Sequence, residues 1–178
     1  VQYVGNPIVN LIVTGLIIFG GIGYQVIMEL YFWGRDRVTG NPRRAIFSLN
    51  YKIAISTTIA LLIIGTIAFF ITESQNPNTL GALSLPDRLW AAWFQSVTPR
   101  TAGFNTIDIT KMTTAGLFIT IALMFMGASP GGTGGGIKTT TVRVLLDCTK
   151  AVLQGKEEVL CFHRQIPMPL ILKAVAVF

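Results

Sequence analysis

Charge is absent from long stretches of this chain and concentrated in others. Residues 8–28 and 53–72 contain no Asp, Glu, Lys or Arg. A helix needs roughly 20 such residues to cross a hydrocarbon core of about 30 Å, so both runs predict transmembrane helices. A third apolar run, 112–128, is 17 residues long and reaches only about 25 Å as helix. It ends in GASPGGTGGGIKTTT, which starts at Gly127. The glycine stretch therefore begins at membrane depth. Beyond it Arg143, Asp147 and Lys150 recur at helical spacing amid Val144, Leu145, Leu146 and Leu153. That pattern predicts an amphipathic, cytoplasm-facing half-helix.

The segment between the second and third runs has a pattern of its own. SLPDRLWAAWFQSV opens with Ser84, Pro86 and Asp87, which are helix-start residues. Pro99 ends it. About 12 residues reach only about 18 Å, so this helix cannot span. Its polar residues do not form a continuous face, which favours a re-entrant helix over one lying on the surface. TPRTAGFNTIDI follows, extended and polar. Such backbone at membrane depth persists only when buried in protein or lining a water-filled path. The carbonyls of Thr101, Ala102, Gly103, Phe104 and Asn105 are suited to replacing water around a cation. Gly103 permits backbone angles closed to other residues, and the C-terminal end of the short helix faces the ion with partial negative charge. Arg100 is expensive at that depth unless paired. It is expected to clamp the helix's last carbonyls or to meet Asp108.

A phosphate cradle is the other reading of the glycine stretch. That motif needs G-x-x-x-x-G-K-[ST] after a strand. Gly131 and Gly136 have the spacing, but Ile137 intervenes before Lys138, and an apolar helix precedes the loop. A broken helix fits better. Gly127, Ser129, Gly131, Gly132, Thr133, Gly134, Gly135 and Gly136 are then gate-loop candidates. The glycines would line a cavity and allow movement, while Ser129, Thr133 and Thr139 to Thr141 satisfy freed backbone groups.

Composition agrees. Only 12% of residues are charged, about half the usual share of a soluble domain, and mean hydropathy is +0.59. The net charge of +6 does not point to nucleic acid, because of where it falls. Arg35, Arg37, Arg43, Arg44 and Lys52 lie between the first two runs, and Lys138, Arg143, Lys150, Lys156, Arg164 and Lys173 lie after the glycines. The positive-inside rule puts both clusters in the cytoplasm, facing anionic lipid, and the segment between them outside. Cys148 and Cys161 have no metal spacing and read as reduced or buried thiols. His163 reads as an interfacial or subunit-contact histidine. The chain begins at Val1 without a recognisable signal peptide and ends inside a new apolar run, which points to a piece of a longer membrane protein.

SVTPRTAGFNTIDI followed by GASPGGTGGGIKTTT closely resembles the Trk/Ktr/HKT superfamily of potassium transporters, in particular bacterial KtrB-type pore subunits. The resemblance covers the whole chain. It implies an all-α integral membrane fold of helix–pore-loop–helix repeats with one broken transmembrane helix, here a partial pore. Residues 1–34 would close the second repeat, 35–52 form a basic cytoplasmic loop, 53–154 form the complete third repeat, and 155–178 begin the fourth. Gly103 would be the filter glycine, and 127–136 the intramembrane gate. The implied function is potassium uptake across the cell membrane, with K+ as cargo, room for Na+ as a symported ion, and no enzymatic activity. The implied partners are a second copy of the subunit and a cytoplasmic nucleotide-binding regulatory subunit. One filter strand of four is present, so this stretch alone is not expected to conduct. The rival reading is a secondary carrier whose broken helix is the substrate site.

Overall fold

Helix α1 (Pro7–Ile22) starts where Asn6 caps it, its side-chain oxygen accepting from the amides of Ile8 at 3.1 Å and Val9 at 3.2 Å. Pro7 sits at the first helical position, where a missing N–H costs nothing. The computed structural model describes residues 3–39, 47–100, 102–156, 158–162 and 164–177. Gly40 to Arg44, with most of the expected cytoplasmic turn, lie outside the described residues, as do Thr101 and His163.

Helix α1 does not continue to Met28. Gly23 follows it with φ +92° and ψ 141°, and helix α2 (Tyr24–Val38) leaves at 100° to α1. The single helix expected over 8–28 is thus corrected to a broken pair. The cause is local: Gly23 leaves the right-handed helical region, which only glycine does at so little steric cost. Helix α3 (Leu49–Glu73) is 25 residues long, about 37 Å. Among the described residues it alone is long and apolar enough to cross a membrane by itself; α1 and α2 qualify only as a pair.

Ser84 caps helix α4 (Leu85–Val97), which is 13 residues long and too short to span. The broken helix follows as α5 (Thr114–Phe125) and α6 (Thr139–Leu153), with the glycine loop between. Helix α7 (Met168–Val177) ends the chain. A two-residue hairpin, β1 (Leu160–Cys161) against β2 (Arg164–Gln165), precedes it. Strands this short carry no periodic signal, which is why the sequence pattern did not disclose them.

Helix α3 is the central element, packed against α4, α5 and α6. Inside a bilayer, close packing and hydrogen bonds hold helices together more than release of water does. Gly65 of α3 illustrates this. A Cβ there would overlap Ser96 Oγ of α4, and that hydroxyl donates to the Leu62 carbonyl at 2.9 Å. One end of the bundle is tied by Glu73, fully buried at the end of α3. Its carboxylate accepts from Thr79 Oγ1 at 2.7 Å, Asn76 Nδ2 at 2.9 Å, Thr113 N at 2.9 Å and Thr113 Oγ1 at 2.5 Å. Thr113 in turn caps α5 through Gly116 N at 3.1 Å. Arg88 gathers three carbonyls of the preceding loop: Leu83 and Gly81 at 2.8 Å, and Ser74 at 3.4 Å. At the opposite end, Cys161, Val159 and Ile166 of the hairpin region pack with Ile53, Ala151 and Ile171.

Candidate ion path and glycine loop

The C-terminus of α4 is where the first candidate site forms. The Thr98 carbonyl accepts from Ala102 N at 3.1 Å and Gly103 N at 3.3 Å, while the Thr98 hydroxyl donates to the Phe104 carbonyl. One buried threonine therefore holds both ends of the turn. Gly103 has φ +74°, and a Cβ there would meet nothing within 4 Å. Backbone angle, not space, demands glycine at this point. Gly103, Phe104 and Asn105 are exposed and Ala102 is half-buried. Four of the five expected filter residues are thus brought onto one turn; the fifth, Thr101, is outside the described residues. The Phe104 carbonyl already accepts one hydrogen bond, which leaves it one free lone pair.

Above this turn, Asn78, Thr79, Asn105, Asp108 and Lys111 line an open cleft of ≈ 560 Å³. Asp108 accepts from Thr110 Oγ1 at 2.6 Å and Thr110 N at 3.1 Å, and Lys111 Nζ stands 3.6 Å away. These hydrogen bonds, with Lys111 adding a smaller part, hold its carboxyl below the ordinary 3.8, so the carboxylate stays ionised beside the Lys111 ammonium that balances it. Of the two partners expected for Arg100, Asp108 is occupied in this way. Arg100 instead reaches inward and donates to Thr58 Oγ1 of α3 at 3.4 Å.

The second candidate site is the glycine loop. Its ends are stitched together: Gly127 N donates to Ile137 O at 3.0 Å, Ile137 N to Phe125 O at 3.0 Å, and Ala128 N to Gly135 O at 3.3 Å. Thr139 N, at the start of α6, donates to Ala128 O at 3.3 Å. Ser129 and Thr139 join hydroxyls at 3.0 Å in a buried contact. Lys138 Nζ donates to Gly134 O at 2.9 Å. The lysine that a phosphate cradle would offer its ligand is committed to the loop itself. This is an ordered knot, not the slack segment that its glycine content suggests.

The knot rests on the α1–α2 break. Ser129 N donates to Gly21 O at 3.0 Å, Thr133 N to Gly20 O at 3.1 Å, Thr133 Oγ1 to Gly20 O at 3.3 Å, and Tyr24 N to Gly131 O at 3.3 Å. Sequence reading missed this partner. The signal was present as GGIG at 20–23, but it was hidden in an otherwise unbroken apolar run. Between the glycine loop and the end of α4 lies a cavity of ≈ 10 Å³ lined by Ile17, Ile18, Gly21, Val97, Arg100 and Ala128, room for about one water.

A too-short apolar helix, a glycine turn hung from its end and a helix broken at membrane depth define a helix–pore-loop–helix membrane protein. The chain belongs to the family described as TrkH, cation transport protein, which matches residues 1–173. It is 45% identical over 176 residues to the Ktr system potassium uptake protein B of Bacillus subtilis, covering 99% of this chain and 38% of that protein. It is 39% identical over 173 residues to the potassium/sodium uptake protein NtpJ of Enterococcus hirae, covering 97% and 36%. The crystal structure of the potassium transporter TrkH from Vibrio parahaemolyticus shares the fold, with a TM-score of 0.67 at 16% identity, covering 94% of this chain and 35% of that one. The chain thus spans little more than a third of the length of these relatives.

Proposed function

We propose that this chain carries one filter strand and the gate of a potassium-uptake pore in the cell membrane. Backbone carbonyls of 101–105 face the ion, and the loop at 127–136 closes the path beneath them. The observation that carries the reading is the turn at Gly103, open on the side where a side chain would stand and held from behind by Thr98. Carbonyl oxygens fixed in this way suit a desolvated alkali cation. The names of the relatives support K+ as cargo, and that of NtpJ supports Na+ beside it. The name "Ktr system" supports assembly with other subunits; a homodimer and a cytoplasmic nucleotide-binding regulator are the assembly we propose, and a transporter, not an enzyme, is the role. In the complete subunit, Gly103→Ser should lower the preference for K+ over Na+ by roughly tenfold, about 1.4 kcal/mol, in flux assays on proteoliposomes. Unchanged selectivity would remove the filter. It would favour the carrier reading, in which the broken helix binds the substrate. Deletion of 131–136 should raise flux, and unchanged flux would remove the gate.

A further inference from the structure

The contact between loop and hinge is made of groups that have a second way to pair. In a continuous helix the carbonyl of residue i accepts from the amide of i+4. Gly20 O would then accept from Tyr24 N, and Gly21 O from Gln25 N. In the structure those carbonyls accept instead from Thr133 and Ser129, and Tyr24 N donates to Gly131 O. The backbones also interlock. A Cβ on Gly23 would stand 2.5 Å from Pro130 O, and one on Gly132 would stand 2.6 Å from Gly21 O. At membrane depth a backbone group that loses its partner must find another in protein or reach a water-filled path, and a straightened hinge supplies the hinge groups with one.

We propose that the α1–α2 hinge is the seat of the gate loop, and that Gly23 and Thr133 are positioning residues which make gate opening and hinge straightening a single event. The inference rests on the gate reading above. With the loop seated, Gly23 is bent and the loop caps α1. With the loop away, the hinge closes its own ladder through Gly20 O and Tyr24 N, and Ser129 N, Thr133 N and Gly131 O turn to the aqueous path. Both states give Gly20 O, Gly21 O and Tyr24 N a partner, which is what a two-state element requires. The uninterrupted apolar pattern over 8–28 is that of the straight state. Helix α2, with Arg35 and Arg37 in its last turn, is the lever by which a cytoplasmic event reaches the loop.

A cross-link tests this in the complete subunit with its native cysteines replaced. A Cβ on Gly20 would lie 3.2 Å from Thr133 Oγ1, so a Gly20→Cys/Thr133→Cys pair is within disulfide reach, where Cβ atoms stand about 3.8 Å apart. On oxidation the disulfide should form and rubidium uptake into proteoliposomes should fall roughly tenfold or more, returning on reduction, with neither single variant responding. Gly23→Ala, which favours the straight hinge, should raise uptake in whatever fraction folds. A pair that does not cross-link, or that cross-links with uptake unchanged, overturns the proposal. If deletion of 131–136 raises flux but the formed cross-link leaves it unaltered, the gate stands and the seat falls; if the deletion has no effect, both fall.

Discussion

The turn at 102–105 holds one glycine with open space about it, whereas the loop at 127–136 holds six, several pressed against backbone. At Gly103 a side chain would meet nothing within 4 Å, and only the φ of +74° forbids it. At Gly127 a Cβ would fall on the Gly135 carbonyl, with the Gly136 Cα 2.9 Å away. At Gly103 glycine serves the backbone angle and leaves the space beside it open. The loop uses it so that main chain can pack on main chain and bond to it. The same residue type therefore marks an empty site in one place and a filled one in the other, and substitutions should separate the two.

Gly127→Ala should have the largest effect. It forces apart the stitch between 127–128 and 135–137, at a cost of about 3 kcal/mol, read as a loss of folded protein in thermal unfolding of the complete subunit. Gly103→Ala should cost only about 1 kcal/mol, the strain of a left-handed alanine, and should act on selectivity instead. Equal destabilisation by the two substitutions would break the contrast. Between these falls Glu73→Ala, which takes the acceptor from the Thr79 hydroxyl and from the Thr113 amide and hydroxyl, while Asn76 Nδ2 keeps only its bond to the Lys111 carbonyl. A charged acceptor of this kind contributes about 3 kcal/mol, so unfolding should shift nearly as far as for Gly127→Ala while ion selectivity stays intact.

Lys138→Met should have a smaller effect. It removes one charge-assisted bond to Gly134 O, worth about 2 kcal/mol, and loosens the knot without a clash. Flux should rise several-fold, and ATP should bind no worse than before. Loss of nucleotide binding on this substitution would revive the phosphate-cradle reading that Ile137 disfavours.

The short helix and the glycine turn after it were legible because their signals are local: a capped helix too short to span, then a polar stretch with one glycine. The glycine loop was legible as a break for the same reason. Its bonding was not, because that depends on Gly20 and Gly21, far upstream, and on which carbonyls meet which amides. Composition gives the freedom of a chain and not the partners that remove it. Gly23 was missed in an apolar run without charge or proline to mark it. Glu73, at the end of α3, carries no local sequence signal; its role emerges only when the segment after α3 folds back on it. Arg100 was expected to need a partner, and the structure supplied Thr58 instead of Asp108.

The hairpin on α6 uses neither glycine device and should respond least of all to changes in the loop. Cys161 is buried there beside Asp147 and Arg143, which pair at 3.0 Å. Burial first, and the Asp147 carboxylate next, push its thiol up from the ordinary 9.0 to about 11, against the opposing pull of Arg143. The thiolate is the reactive form, so maleimide labelling of Cys161 should stay slow at pH 8 and accelerate only as pH nears 11. The sign for stability follows. A raised pKa in the folded state means that this thiol's contribution is full below the unfolded value of 9.0 and is lost as pH climbs through about 11. Labelling at pH 8 as fast as that of an exposed thiol would show the hairpin undocked. The Lys138→Met substitution, which loosens the loop just before α6, should leave this labelling rate where it was. If the rate rose with it, the knot and the hairpin would be one unit, and the boundary between packed loop and independent flank would lie at the end of α6.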